Sequence, residues 1–169
     1  MSSSCDISND EELDFPLNEA QVRSIVDAVL DHERVDRECY VSVSIVTDGD
    51  IAETNAEWRG VDAPTDVVSL ECERPDDPDL ADGEPCELGD IVLAPAYIEA
   101  QAVRFGTTFA DECRLLLVHG VLHLLGHDHL DDESAEAMEA LEDQILSSVE
   151  NDGTLGHVVI TRHRTEDEA

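Results

Sequence analysis

With 169 residues the chain is long enough for one domain with its own core, and a hydrophobic share of 41% is enough to fill it. Its 42 acidic residues stand against 9 basic ones, every one an arginine, for a formal net charge of −33. Such a chain repels nucleic acid at long range and repels itself in dilute buffer, which excludes long-range electrostatic capture of a polyanion. The acids are spread along the whole chain and form no single tail. That distribution favours adaptation to a salty cytoplasm, where the Debye length falls to about 3 Å near 1 M salt, over a surface made for basic partners.

In chain order, residues 1–14 are polar and acidic, with neither a basic nor an apolar stretch, and so do not read as a signal peptide. Residues 17–33 carry Val22, Ile25, Val26, Val29 and Leu30 at helical spacing, with Asn18 placed to cap. Val41, Val43 and Ile45 alternate with Ser42 and Ser44 as a strand. Asp48, Gly49 and Asp50 predict a turn, and residues 51–58 a short helix. Segments 66–70 and 89–94 read as strands. Between them, residues 72–87 hold three prolines, one glycine and seven acids, a solvated loop in which no chemistry is visible. A short helix over 96–105 follows, then one over 111–125 that is apolar nearly all round and therefore central and buried.

Asp131 or Asp132 caps a last helix that buries Met138, Leu141, Ile145 and Val149 while Glu133, Glu136, Glu139 and Glu142 face water. The domain is expected to span 1–150, with 151–169 a tail that either adds a short strand at 158–160 or is disordered. Strands early and long helices late predict an α+β fold, with helices packed on a small mixed sheet. The longest apolar run, 115–125, is broken by two histidines and is too short to cross a bilayer, so no membrane is expected. The five cysteines form no CxxC pair and read as ordinary thiols of a reducing, cytoplasmic protein.

The chemistry concentrates in residues 119–129. His119 and His123 are four apart and share one helix face. Gly126 supplies a residue that ends the helix and turns the chain, and His129 then returns to the same point. Three imidazoles with an open fourth position make the ligand set of a catalytic zinc, not of a closed structural one. A histidine-rich helix end that packs in the core is the plainer alternative. The ligand frame matches that of metzincin peptidases, but Gly120 stands where those enzymes carry the general-base Glu. Asp128 reads as a partner to a ligand or a helix cap more readily than as a displaced base. His127 is expected to point away from the metal, and His32, His157 and His163 to lie on the surface.

A second dense segment runs over 55–69, where Arg59 and Gly60 open a structured loop that enters a strand through Pro64 and Thr65. An arginine in so acidic a chain pairs with a carboxylate by default. Set beside a metal site, it also suits a phosphate-directed reaction, which needs a rigid bidentate cation.

These segments together resemble the YbeY endoribonucleases, zinc proteins of ribosomal RNA maturation and ribosome quality control. The resemblance rests on H-G-x-L-H-L-x-G-x-D-H at 119–129, N-x-x-[WY]-R-G-x-D-x-P-T-[DN]-V-x-S at 55–69, L-G-D-I at 88–91, and E-x-A-E-A-M-E-A-L-E at 133–142. It covers residues from about 5 to 150. Members of the family are usually far less acidic, and Leu70 stands where Phe is common. The resemblance implies an α+β fold with a mixed four-stranded sheet, one Zn2+ per chain on His119, His123 and His129, and a catalytic or RNA-contacting Arg59. It implies metal-assisted cleavage of single-stranded RNA, in small-subunit rRNA 3′ end processing, with the ribosome or its associated proteins as partners and no DNA. Two alternatives come from other classes: a metallopeptidase-like hydrolase, against which Gly120 argues, and a non-catalytic ribosome assembly factor that carries zinc.

Overall fold

Residues 4–127 and 131–155 are described by the computed structural model. Within these residues four strands form one mixed sheet: β1 (Ser4–Ser8), β2 (Cys39–Ile45), β3 (Val67–Glu71) and β4 (Cys86–Leu93), in the order β1-β2-β4-β3. β1 pairs parallel with β2, with Cys5 opposite Val41 and Ile7 opposite Val43, and β2 pairs parallel with β4, with Val43 opposite Ile91. β3 closes the far edge antiparallel to β4, with Val68 opposite Val92. Among the described residues five helices accompany the sheet: α1 (Glu19–His32), α2 (Asp48–Arg59), α3 (Pro95–Phe105), α4 (Phe109–Leu124) and α5 (Asp132–Ser147). The architecture is the α+β arrangement the patterning predicts.

Local chemistry explains where the elements begin. Asn18 caps α1 in a capping box with Gln21, and the five apolar residues expected to face inward are all buried. Asp48, Gly49 and Asp50 are the first turn of α2 and not a separate turn. The Thr47 hydroxyl accepts from the Asp50 amide at 3.2 Å, and two acids in that turn suit the helix dipole. β4 starts at Cys86, three residues before the expected strand. β1 lies in the stretch that reads only as polar and acidic. As an edge strand it needs one inward face, which Cys5 and Ile7 supply.

The main core lies between the sheet and helices α1, α4 and α5, and α4 is its axis. Every residue of α4 from 111 to 122 is buried, because α1, α3, α5 and the sheet surround it. Side chains alternate across a strand, so Ile91 meets α4 while Val92 points to the opposite face. There Val92, Val68 and Ala94 pack with Ile51 of α2 as a second small cluster. Residues 152–155 return to the start of α4, where Leu155 is buried and the Asp152 and Thr154 amides donate to the Asp111 carboxylate at 2.9 Å each. The expected strand at 158–160, His157 and His163 lie outside the described residues. Among the described residues no helix is long and apolar enough to cross a membrane.

One expectation about α5 is corrected. Glu133 and Glu136 are exposed, but Glu139 and Glu142 are buried, at 7% and 3% exposure. Positions 138, 142 and 145 fall on one helical stripe, so Glu142 shares its face with Met138 and Ile145 and is carried into the α4 contact.

Candidate metal centre

α4 delivers the first two expected ligands. The Thr108 hydroxyl accepts from the Asp111 amide at 3.1 Å and starts the helix, and Asp111 and Glu112 stand in its positive first turn. Three turns later His119 and His123 lie edge to face, with ring centroids 4.7 Å apart and planes at 73°. His119 is buried and His123 half-buried. His119 Nδ1 is 3.1 Å from Glu142 Oε1, on the one buried stripe of α5 that reaches it. A ring whose Nδ1 is held by a carboxylate keeps Nε2 as its ligating atom, and this carboxylate–histidine pairing is the usual support of a metal-bound imidazole.

The helix ends as the motif anticipates. The Gly126 and His127 amides donate to the carbonyls of His123 at 2.9 Å and Leu122 at 3.0 Å. Gly126 sits at φ 104°, a conformation that L side chains rarely adopt, and a Cβ there would also lie 2.5 Å from the Arg74 guanidinium. The ring of His127 hydrogen-bonds Glu33 at the end of α1. His32 is exposed and bonds Gln144 at 3.1 Å. His129 and Asp128 lie outside the described residues. Among the described residues no third His, Cys, Asp or Glu converges with His119 and His123 as a metal-binding group. The donors that are placed fit a transition metal in chemistry: neutral nitrogen ligands in mutual contact, one of them oriented by a buried acid.

Gly120 has a packing role that its place in the motif does not suggest. A Cβ at 120 would meet the Ile91 side chain at 3.1–3.3 Å, so this glycine lets α4 approach β4 closely. A side chain there would be directed into the core.

Arg59 is the last residue of α2 and is exposed. It makes no ion pair among the described residues, although acids are abundant. Gly60 ends the helix at φ 72°, and the buried Asn55 amide donates to the Ala63 carbonyl at 2.8 Å, which ties the following loop to the helix. Asp66 is buried, accepts from the Val67 amide at 2.7 Å and sets the start of β3. α2 and α4 both contact the edge strand β3, and they pack on opposite faces of the sheet. No hydrogen bond or ion pair joins Arg59 to either histidine among the described residues.

Sequence reasoning found the histidine pair and missed Glu142, which supports it. The available signal was a carboxylate on the apolar stripe of its own helix.

The chain has clear relatives. A family model described as Endoribonuclease YbeY matches residues 5–150. The protein called Endoribonuclease YbeY from Moorella thermoacetica is 41% identical over 151 residues, covering 86% of this chain and 96% of that one. The protein of the same name from Desulfitobacterium hafniense is 44% identical over 114 residues, covering 66% of this chain and 73% of that one. The solution structure of TM1509 from Thermotoga maritima superposes with a TM-score of 0.55 at 22% identity, over 98% of this chain and 95% of that one, a likeness of fold.

Proposed function

Because the chain belongs to the endoribonuclease YbeY family, we propose that it cleaves phosphodiester bonds of single-stranded RNA in small-subunit rRNA maturation and ribosome quality control. One zinc ion would be held by His119, His123 and His129, in a cytoplasmic enzyme whose partners are rRNA and the ribosome. The observation that carries the reading is the His119–His123 contact with Glu142 behind it. A carboxylate buried for no purpose would cost stability, and orienting a ligand is a purpose.

When bound, the metal supplies Lewis-acid charge against the developing negative charge of the phosphate. The rest falls to the chain. Glu142 holds Nδ1 and the plane of His119, and Gly126 turns the backbone just after the helix ends. Arg59, exposed and without a carboxylate partner among the described residues, is free to take the phosphate in a bidentate grip. Loss of such a contact typically costs a few kcal/mol of barrier. No acid stands at position 120 to act as a peptidase base, and the relatives' name gives the peptidase alternative no support.

The test is cleavage of a single-stranded RNA titrated against added zinc and against a chelator, at low and at high salt. Cleavage that needs the metal and drops strongly in Arg59→Ala is the expected result. A zinc-loaded protein that never cuts RNA, with Arg59→Ala acting only on ribosome assembly, would assign the assembly-factor alternative instead.

A further inference from the structure

Trp58 is the only tryptophan of the chain, and it stands 62% exposed at the end of α2. Val61, three residues on, is 40% exposed. A single exposed aliphatic is ordinary, and Val103 on α3 is one. Trp58 differs from it in its surroundings. Among the described residues its indole has no hydrogen bond and no aromatic or cationic partner. Its neighbour Arg59 is an exposed cation without a carboxylate partner among the described residues, in a chain of net charge −33. Both stand on a braced support: α2 ends sharply at Gly60, and Asn55 ties the loop back through Ala63.

We propose that Trp58 is a stacking platform for an unpaired RNA base, with Arg59 taking a phosphate of the same strand. This rests on the reading of the protein as a single-strand endoribonuclease. A base–aromatic stack needs only a π-face, so it accepts any base, and it is available only where the base is not already stacked in a duplex. Consecutive helical residues diverge by about 100°, which suits a base and a phosphate that point apart on one nucleotide. Stacking also suits the charge of this chain. Glu57 and Asp62 are exposed on either side of the pair, so a broad phosphate-binding groove is not built here. Ionic contacts weaken in concentrated salt, whereas an apolar stack does not depend on counterion release.

Because Trp58 is the only tryptophan, indole emission reports on this position alone. Zinc-loaded protein is titrated with a 2′-O-methyl single-stranded oligonucleotide in dilute and in molar KCl, with binding followed independently by the anisotropy of a labelled strand. The expected result is saturable quenching of the indole in both salts, and much less with the same sequence as a duplex. Trp58→Ala should raise KM for RNA about 10- to 100-fold with kcat nearly unchanged, and Trp58→Phe should recover most of it. Melting temperatures equal to wild type would show that the exposed substitution leaves the fold intact. RNA that binds and is cut while the indole emission and the Trp58→Ala KM stay unchanged overturns the platform and leaves the endoribonuclease reading standing. Wild-type protein that neither binds nor cuts RNA overturns both.

Discussion

His119 offers two ring nitrogens, and with Nδ1 3.1 Å from Glu142 Oε1 the proposed site leaves Nε2 for a metal. Glu142→Ala is therefore expected to weaken zinc binding about 10- to 100-fold in competition with a chromophoric chelator, with Glu142→Gln between the two. His123→Ala should remove stoichiometric binding, while His32→Ala, whose ring bonds Gln144 on the surface, should leave it unchanged. Equal losses from the two histidine variants would place the site elsewhere. The histidines were legible because their relation is local: four residues on one helix dictate their contact. Glu142 was not legible, because its partner is 23 residues away across a helix–helix interface. In a helix with so many acids it reads as one more solvated carboxylate, and only its place between Met138 and Ile145 on the buried stripe separates it from Glu136.

α4 is held by how closely it can approach its neighbours and by what docks at its start. Alanine at position 120 would improve helix propensity by about 1 kcal/mol but would press on Ile91 at 3.1 Å, and overpacking costs about 1–3 kcal/mol. Gly120→Ala is expected to be mildly destabilising in a chemical melt, and Ile91→Val should be less costly in that background than in wild type. Additive effects would mean that the two positions do not share the space. At the other end, burial pushes the Asp111 carboxyl up, but the amide of Asp152, the hydroxyl and amide of Thr154 and the Arg114 guanidinium outweigh it and hold it below the usual carboxylate range. A depressed pKa contributes stability that is present above the unfolded value near about 4 and is lost as pH falls through the folded one. The melting-temperature difference between wild type and Asp111→Asn should thus hold at neutral pH and shrink below about pH 4; a difference that grows in acid would reverse the assignment. α4 was legible from its unbroken apolarity. β1 was not, because two inward residues in a five-residue edge strand leave too short a pattern, and the pairing with β2 that makes it a strand is long-range.

For the whole molecule the charge sets the conditions under which the fold and the site operate. At −33 the folded state brings like charges together that the unfolded chain keeps apart, so screening should stabilise it. The Debye length shrinks from about 10 Å at 0.1 M to about 3 Å at 1 M, and thermal melts are expected to move upward from millimolar to molar KCl. Melts that are flat or fall over that range would leave binding of basic partners as the explanation of the charge. Catalysis should follow the same screening. In dilute buffer RNA meets a repulsive envelope, while a zinc ion on neutral imidazoles would add two positive charges at the proposed site. His119 and its carboxylate are buried, so salt screens the envelope more than it screens that interior. Most nucleic-acid binders lose affinity as salt rises, because they gain it from counterion release. Among the described residues there is no basic surface that makes that release possible: the arginines there are largely engaged, Arg37 with backbone carbonyls, Arg74 with Glu71 and Arg114 with Asp111. Cleavage of single-stranded RNA is therefore expected to hold or rise as KCl increases to moderate concentration, read as kcat/KM against salt with the zinc concentration fixed. A steep fall with the slope of a many-phosphate binder would mean that RNA is captured by a cationic surface that residues 4–127 and 131–155 do not carry.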